Sequence, residues 1–286
     1  MQLGRKSEDK LAADQLKGLN LPAPEVLAAF GLDGPAEPLA GGQGVTWRVG
    51  EAVVKQLDMV PSMVAWQGGL LSRLDGRHDF RVSVPLQTAA GLWTTAGWSA
   101  WRYQPGAHVS GRWHDIISVG QRLHAALAAE PEPDFLPHRS DKWSIGDKVA
   151  WGELPAASYT GTKHLSRLSS ALRPVRPSNQ LVHGDLTGNV LFHDDLPPLV
   201  IDLSPYWRPP AFASAIVVAD ALLFHGAGKD VIEPLLDDPD FPQYLLRALI
   251  FRAVTDHLAR PDLQRVDTDD PYLAAVAFAT QLAAAP

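Results

Sequence analysis

LVHGDLTGNVLF, Leu181 to Phe192, sets His183, Asp185, Thr187, Asn189 and two glycines between apolar runs. Polar groups taken out of water are costly unless each finds a partner, so the stretch is either a tightly capped turn or a site. Downstream, Asn189-Val190-Leu191-Phe192 and Pro198-Leu199-Val200-Ile201-Asp202 flank a polar tip containing Asp194-Asp195. This reads as two short antiparallel strands joined by a turn. Pairing Leu191 with Val200 puts Val190 opposite Ile201 and Asn189 opposite Asp202. Opposed Cβ atoms stand about 5 Å apart. An amide oxygen and a carboxylate at that spacing can share one hard cation such as Mg2+, which takes oxygen ligands. Asp185 lies in the loop just before and is left as a free carboxylate able to orient a hydroxyl nucleophile. Asp and Asn favour turns for their own reasons, but three of them converging after a histidine is more than a turn needs.

Composition narrows the setting. The chain has 286 residues, 46% of them hydrophobic, enough for one large domain or two modest ones. A net charge of -7 leaves no surplus to neutralise phosphates, which argues against nucleic acid as a partner and weakly favours a cationic ligand. There are no cysteines, so disulfides, thiolate nucleophiles and cysteine-ligated zinc are excluded. The N-terminus, MQLGRKSEDK, is charged and has no apolar signal core. The longest uncharged apolar run, YLAAVAFATQLAAAP, falls short of the ~20 residues a membrane span needs. These features point to a cytoplasmic protein with no membrane contact.

Along the chain, residues 1–20 are a polar lead-in. Residues 21–103 read as a small antiparallel sheet with a helix at Pro24–Phe30 and another at Pro61–Leu74. Its strands are punctuated by the Gly41-Gly42-Gln43-Gly44 turn and the Val49-Gly50-Glu51 turn, with Lys55 inside the strand Ala52–Leu57. Phe80–Gln87 and Leu92–Tyr103 read as two further strands. Gln104-Pro105-Gly106 is a strong breaker and a candidate hinge. Residues 107–286 are mainly helical, with helices at Trp113–Ala129, His164–Leu172, Ala211–Phe224 and Phe241–Leu258. A last helix follows the Asp270-Pro271 cap. The segment 131–163, which carries Trp143 and Trp151, reads as loop-rich.

With these residues in view, the chain resembles the aminoglycoside phosphotransferases and related kinase-like small-molecule kinases. The likeness rests on His183-Gly184-Asp185 followed by Asn189, then Asp202 after a short hairpin, and extends over roughly residues 35–225. It implies a two-lobed, protein-kinase-like α+β fold and a reaction that moves the γ-phosphoryl group of ATP, with Mg2+, to a hydroxyl of a small molecule such as an aminoglycoside or amino sugar. By the resemblance, residues 21–103 bind nucleotide and residues 107–286 carry catalysis and the acceptor. Asp185 is the implied catalytic base, and Asn189 and Asp202 the implied metal ligands. Lys55 would bind the α- and β-phosphates, beneath a turn carrying Gly42 and Gly44. Arg102 and Tyr103 lie in the strand whose end, through Gly106, would take adenine. His183 is implied to be structural, and Asp220 to anchor the catalytic loop from below.

The sequence departs from the family pattern in three places. Three residues rather than four separate Asp185 from Asn189, the helix after Lys55 has no glutamate to pair with it (Gln67 is the nearest polar residue), and the glycine turn is an abbreviated GGQG. Two other readings stand beside the kinase: a nucleotide-binding pseudokinase acting as an interaction module, and a metal hydrolase using His183, Asp185 and His193.

Overall fold

The computed structural model describes residues 21–39, 46–176, 178–261 and 270–284. The chain forms two compact units, Met1–Gly106 and Ala107–Pro286. Together their elements make a two-lobed, protein-kinase-like α+β fold.

The first unit is built on a five-stranded antiparallel sheet. Its strands are β1 (Glu37–Pro38), β2 (Thr46–Val49), β3 (Ala52–Gln56), β5 (Thr94–Thr95) and β6 (Trp98–Arg102), in the order β1-β2-β3-β6-β5. Helix α1 (Pro24–Ala29) precedes it. Helix α2 (Pro61–Leu74) and the short strand β4 (Arg81–Val82) lie between β3 and β5. Val26 and Phe30 pack with Trp47, Val49, Val54, Trp98 and Ala100 as one buried cluster, so alternate positions of β2, β3 and β6 supply the sheet's inner face. The stretch Leu92–Tyr103, expected as one strand, is broken at Ala96-Gly97. Both residues have positive φ (47° and 80°), and Thr95 pairs with Trp98 across them as a tight hairpin.

The second unit centres on two helices, α6 (Pro210–Phe224) and α7 (Phe241–Ala259). α6 is apolar on nearly every side and is buried accordingly. Around this pair pack α3 (Trp113–Leu127), α4 (Lys142–Ala150), α5 (Leu165–Ser170) and α8 (Tyr272–Ala284). α4 corrects the expectation of a loop-rich segment across 131–163. Its Trp, Ser, Gly and Asp residues blur the apolar period, but Asp141 caps it: one carboxylate oxygen accepts the N–H groups of Trp143 and Ser144 at 3.2 and 3.0 Å. An ion cluster ties it down, with Arg208 2.6 Å from both Asp147 and Glu153. Trp151, at its end, stacks edge-on against Phe212 and belongs to the core. Among the described residues no helix is long and apolar enough to cross a membrane.

Four short strands carry the central motif. β7 (Gln180–His183) pairs antiparallel with β10 (Pro205–Arg208), His183 facing Pro205. Between them, β8 (Val190–Leu191) pairs with β9 (Leu199–Val200). The register differs by one residue from the expected one: Val190 faces Val200 and Leu191 faces Leu199. The cause lies at Phe192, whose N–H and C=O both bond to Ala107 (2.9 and 2.8 Å), so the hairpin ladder ends at Leu191. Asn189 therefore bonds across to Ile201 rather than facing Asp202. Asp202 lies one residue beyond, in a left-handed conformation (φ 49°).

Two glycines set the packing tolerance. A Cβ on Gly146 in α4 would stand 2.8 Å from the Phe251 carbonyl oxygen, whereas one on Gly69 in α2 would meet only the flexible end of Arg73 at 3.9 Å. Gly→Ala inside a helix ordinarily stabilises by up to about 1 kcal/mol. The sign should split here: Gly69→Ala neutral or stabilising, Gly146→Ala destabilising by about 1–3 kcal/mol through overpacking. Urea unfolding of the two variants measures this.

Candidate active site

The loop after β7 is organised by a buried, neutral histidine. His183 Nδ1 accepts the backbone N–H groups of Asp185 and Ser204 (3.2 and 3.3 Å), and its Nε2 lies 3.2 Å from the carbonyl of Ile201. Two donors on Nδ1 leave the proton on Nε2, which donates to Ile201. Burial lowers its pKa below the ordinary histidine range, and the nearby Asp185 charge only partly opposes this. The backbone N–H of His183 donates to Nε2 of His124 on α3 (3.1 Å). His124 is itself pushed down to about 3, first by burial and then by its neighbour His183.

Every ring nitrogen of His183 is thus spent on backbone, which leaves it no lone pair for a metal. Among the described residues no group of three or more His, Asp or Glu side chains gathers as a metal cluster. The hydrolase built on His183, Asp185 and His193 finds no support in this arrangement.

Gly184 is required by packing. A Cβ there would lie 2.4 Å from the ring of Tyr206 on β10. The next turn closes tightly: Asn189 N–H donates to Leu186 O (3.0 Å), and Gly188 takes φ 80°, a conformation open to glycine. The three-residue spacing therefore closes as a tight turn. The Asn189 amide nitrogen donates to the Asp185 carbonyl (2.7 Å) and to its Oδ2 (3.2 Å). With its nitrogen so used, the amide oxygen of Asn189 is left as an acceptor.

The other oxygen of Asp185 is held by a residue the sequence reading missed. Arg252, on α7, donates from Nη2 to Asp185 Oδ1 at 3.0 Å. The same guanidinium binds both oxygens of Asp220 on α6, Nε to Oδ1 at 2.6 Å and Nη2 to Oδ2 at 2.7 Å. Burial opposes the charge on Arg252, but the carboxylates of Asp220 and Asp185 outweigh it, and its pKa is raised. Asp220 does anchor the loop, through this arginine. The Asp185 side chain stays 44% exposed while Arg252 is 12% exposed. The acid is thus gripped from below and open above.

Beside the loop lies an open cleft of about 380 Å³, within the second unit, lined in part by Lys142, Trp143, Thr187, Asp220, Arg252 and Arg260. Trp143 is 39% exposed, so the two tryptophans of this segment part company: Trp151 is core and Trp143 faces the cleft.

In the first unit, Lys55 on β3 faces Thr46 and Ser99 across the ladder, with its ammonium 5.0 Å from the Trp101 ring. Gln67 is buried. Arg102 turns its side chain to Asp75 (2.6 Å), and the Tyr103 ring lies under the Arg48 guanidinium (3.8 Å). After them, Gln104 donates to the Val82 carbonyl (2.6 Å), and Arg81 donates to the Pro105 carbonyl (2.8 Å). Gly42 and Gly44 lie outside the described residues.

The fold is that of small-molecule kinases. Over 99% of this chain and 96% of the other, the structure is similar to an amicoumacin kinase solved with AMP-PNP, Ca2+ and Ami (15% identity, TM-score 0.55). It is similar to an aminoglycoside phosphotransferase from Alicyclobacillus acidocaldarius at 12% identity and TM-score 0.56, covering 92% and 93% of the two chains. A choline kinase from Streptococcus pneumoniae matches at 12% identity and TM-score 0.55, covering 91% and 96%. No protein-family model matches the sequence, and no curated protein matches it by sequence. At these identities the likeness establishes the fold.

The two buried histidines give the fold an acid limit. Both have pKa values lowered in the folded state, so below the unfolded value of about 6.5 the unfolded chain binds more protons. Their stabilisation is complete above that pH and is lost as pH falls below it, for His124 down toward about 3. Each should cost up to about 1.4 kcal/mol per pH unit. Urea midpoints should fall between pH 7.5 and 5.5, and less steeply in His124→Gln, which keeps an acceptor for the His183 N–H. Parallel profiles in the two proteins would remove His124 as a cause.

Proposed function

We propose that the protein is an ATP- and Mg2+-dependent phosphotransferase acting on a hydroxyl of a small molecule. The observation that carries this is Asp185: an exposed carboxylate whose two oxygens and backbone are fixed by Asn189, Arg252 and His183 at the end of β7. Such fixation suits a group that must orient a reactant.

The donors fit a hard metal ion. Asn189 offers an amide oxygen, Asp202 a carboxylate just past the hairpin, and both are oxygen ligands. Bound there, Mg2+ would supply positive charge to the phosphate oxygens. Lys55 would add a second cation on the α- and β-phosphates, and the turn carrying Gly42 and Gly44 would cover them. Adenine would meet the segment after β6. The Arg102 and Tyr103 side chains are engaged with Asp75 and Arg48, so their part would be played by backbone.

In the reaction, the acceptor oxygen bonds to the γ-phosphorus as the bond to the β-phosphate oxygen breaks and ADP leaves. The hydroxyl proton passes to Asp185. Arg252 holds the Asp185 carboxylate in place from below. A loose transition state needs little basicity before the phosphoryl group has moved. Orientation is the larger demand, and the clamp supplies it.

A second reading, a nucleotide-binding module without catalysis, is favoured by the same ion pair if Asp185 never releases its hold on Arg252. The two readings separate on nucleotide and turnover. Mg-ATP at 100 times its Kd should stabilise the fold by about 2.7 kcal/mol, and Asp202→Ala should remove the magnesium-dependent part. Asp185→Asn should abolish phosphoryl transfer while leaving the ATP shift in place. ATP binding with no transfer to any acceptor would favour the module; no shift at all would remove both.

Arg252 gives an independent check. Arg252→Lys keeps the charge but cannot span Asp220 and Asp185 as a fork. The variant should lose kcat by about 10- to 100-fold with the KM for ATP unchanged. Full kcat in Arg252→Lys would show that the clamp does not position the base.

A further inference from the structure

We propose that the cleft beside Asp185 accepts a hydroxylated molecule with a flat face and an anionic group, and disfavours polycations. The proposal rests on the phosphotransferase reading and names the class of acceptor for it.

The charges of the cleft decide the matter. A cationic acceptor needs carboxylates with oxygens to spare. Asp220 is buried, and Arg252 binds both of its oxygens at 2.6 and 2.7 Å. Asp185 gives Oδ1 to the same guanidinium and Oδ2 to Asn189. Asp256 is paired with Arg260 one helical turn along α7. The acids in and beside the cleft are therefore already neutralised.

One cation, Lys142, is not matched in the same way. Lys142 stands at the first turn of α4 with its ammonium 4.5 Å from the Trp143 ring centroid, and it has no carboxylate partner among the described residues. Arg260 is half exposed. An incoming ammonium group would meet the unmatched charge of Lys142, and the acids lining the cleft, Asp220 and Asp256, each already hold an arginine. An incoming carboxylate would find Lys142 ready. Trp143 supplies the second feature, a large ring open to solvent at the wall of the cleft. Aromatic surface of this kind stacks flat ligands.

The net charge of the chain points the other way, since -7 attracts cations at a distance. That field acts over the Debye length and steers encounter. Contact selectivity is set by groups within a few ångströms. Where the two disagree, the local charges govern which ligand stays bound.

Three matched probes test this: 4-(hydroxymethyl)benzoate, 1,4-benzenedimethanol and 4-(hydroxymethyl)benzylamine. They share a ring and a primary hydroxyl and differ in the opposite end. Binding is followed by saturation-transfer NMR with the full-length protein up to about 10 mM, a range suited to ligands of this size. The benzoate should bind up to about fivefold tighter than the amine, the size of effect one partly exposed charge pair provides. Lys142→Glu should reverse that order, and Trp143→Ala should weaken all three. Both positions are at the surface, so neither variant threatens the core. The amine binding as well as the benzoate, an unchanged order in Lys142→Glu, or no probe binding at all would overturn the proposal. Mg-ATP thermal shifts on the same samples keep the two readings apart. Loss of the ATP shift removes the phosphotransferase reading, whereas a preference for the amine with the shift intact removes only the acceptor class.

Discussion

His183 is the point through which the second unit's central segment is assembled. Its ring takes N–H groups from Asp185 and Ser204 and gives its own N–H to Ile201, so one buried imidazole binds the loop after β7, the end of β9 and the start of β10. Its backbone N–H reaches His124 on α3. A charged ring could not accept on Nδ1, and a smaller side chain could not span three backbone segments. Burial keeps the ring neutral, and neutrality keeps the three segments in register.

The second constraint is the ion chain Asp220–Arg252–Asp185. Burying a guanidinium is costly unless its charge and donors are met. Here Asp220 accepts from Nε and Nη2, and Asp185 accepts from Nη2 as well. The asymmetry matters. Asp220 is buried on α6 and holds the arginine in place, while Asp185 is half exposed. Two helices that form the core therefore also fix the direction of the candidate base. Packing and site are coupled through a single side chain.

Much of this was legible in the sequence, because the residues concerned are close together in the chain. His183, Asp185, Asn189 and Asp202 fall within one short stretch, and their order alone suggested a kinase-like loop. The turn at Gly188 could be anticipated from glycine's freedom at positive φ. What was missed depends on distance or on competition between bonds. Arg252 lies 67 residues from Asp185 on a helix with no local signal, and only the fold brings them together. The hairpin register slipped by one because Ala107, remote in sequence, captures both backbone groups of Phe192. α4 was hidden because its Gly146 and polar residues serve close contact with α7 rather than helix propensity. The long strand expected at Leu92–Tyr103 failed at Ala96, a residue that seldom takes positive φ and so gives no warning of a turn.

The same contrast between local and distant effects bears on how the site would distinguish ligands. Sequence composition reports net charge, a property felt across the whole surface. The cleft reports pairing, a property of individual oxygens. An acidic protein can present a cleft with no acid to offer when each carboxylate already has an arginine, as Asp220 and Asp256 do. Arg252, which holds Asp185, thus has a second consequence, since it also occupies the Asp220 carboxylate that lines the cleft. If Asp185 is the base and the cleft holds the acceptor, the Arg252 ion pairs would bear on both, and a substitution that frees Asp220 would alter both.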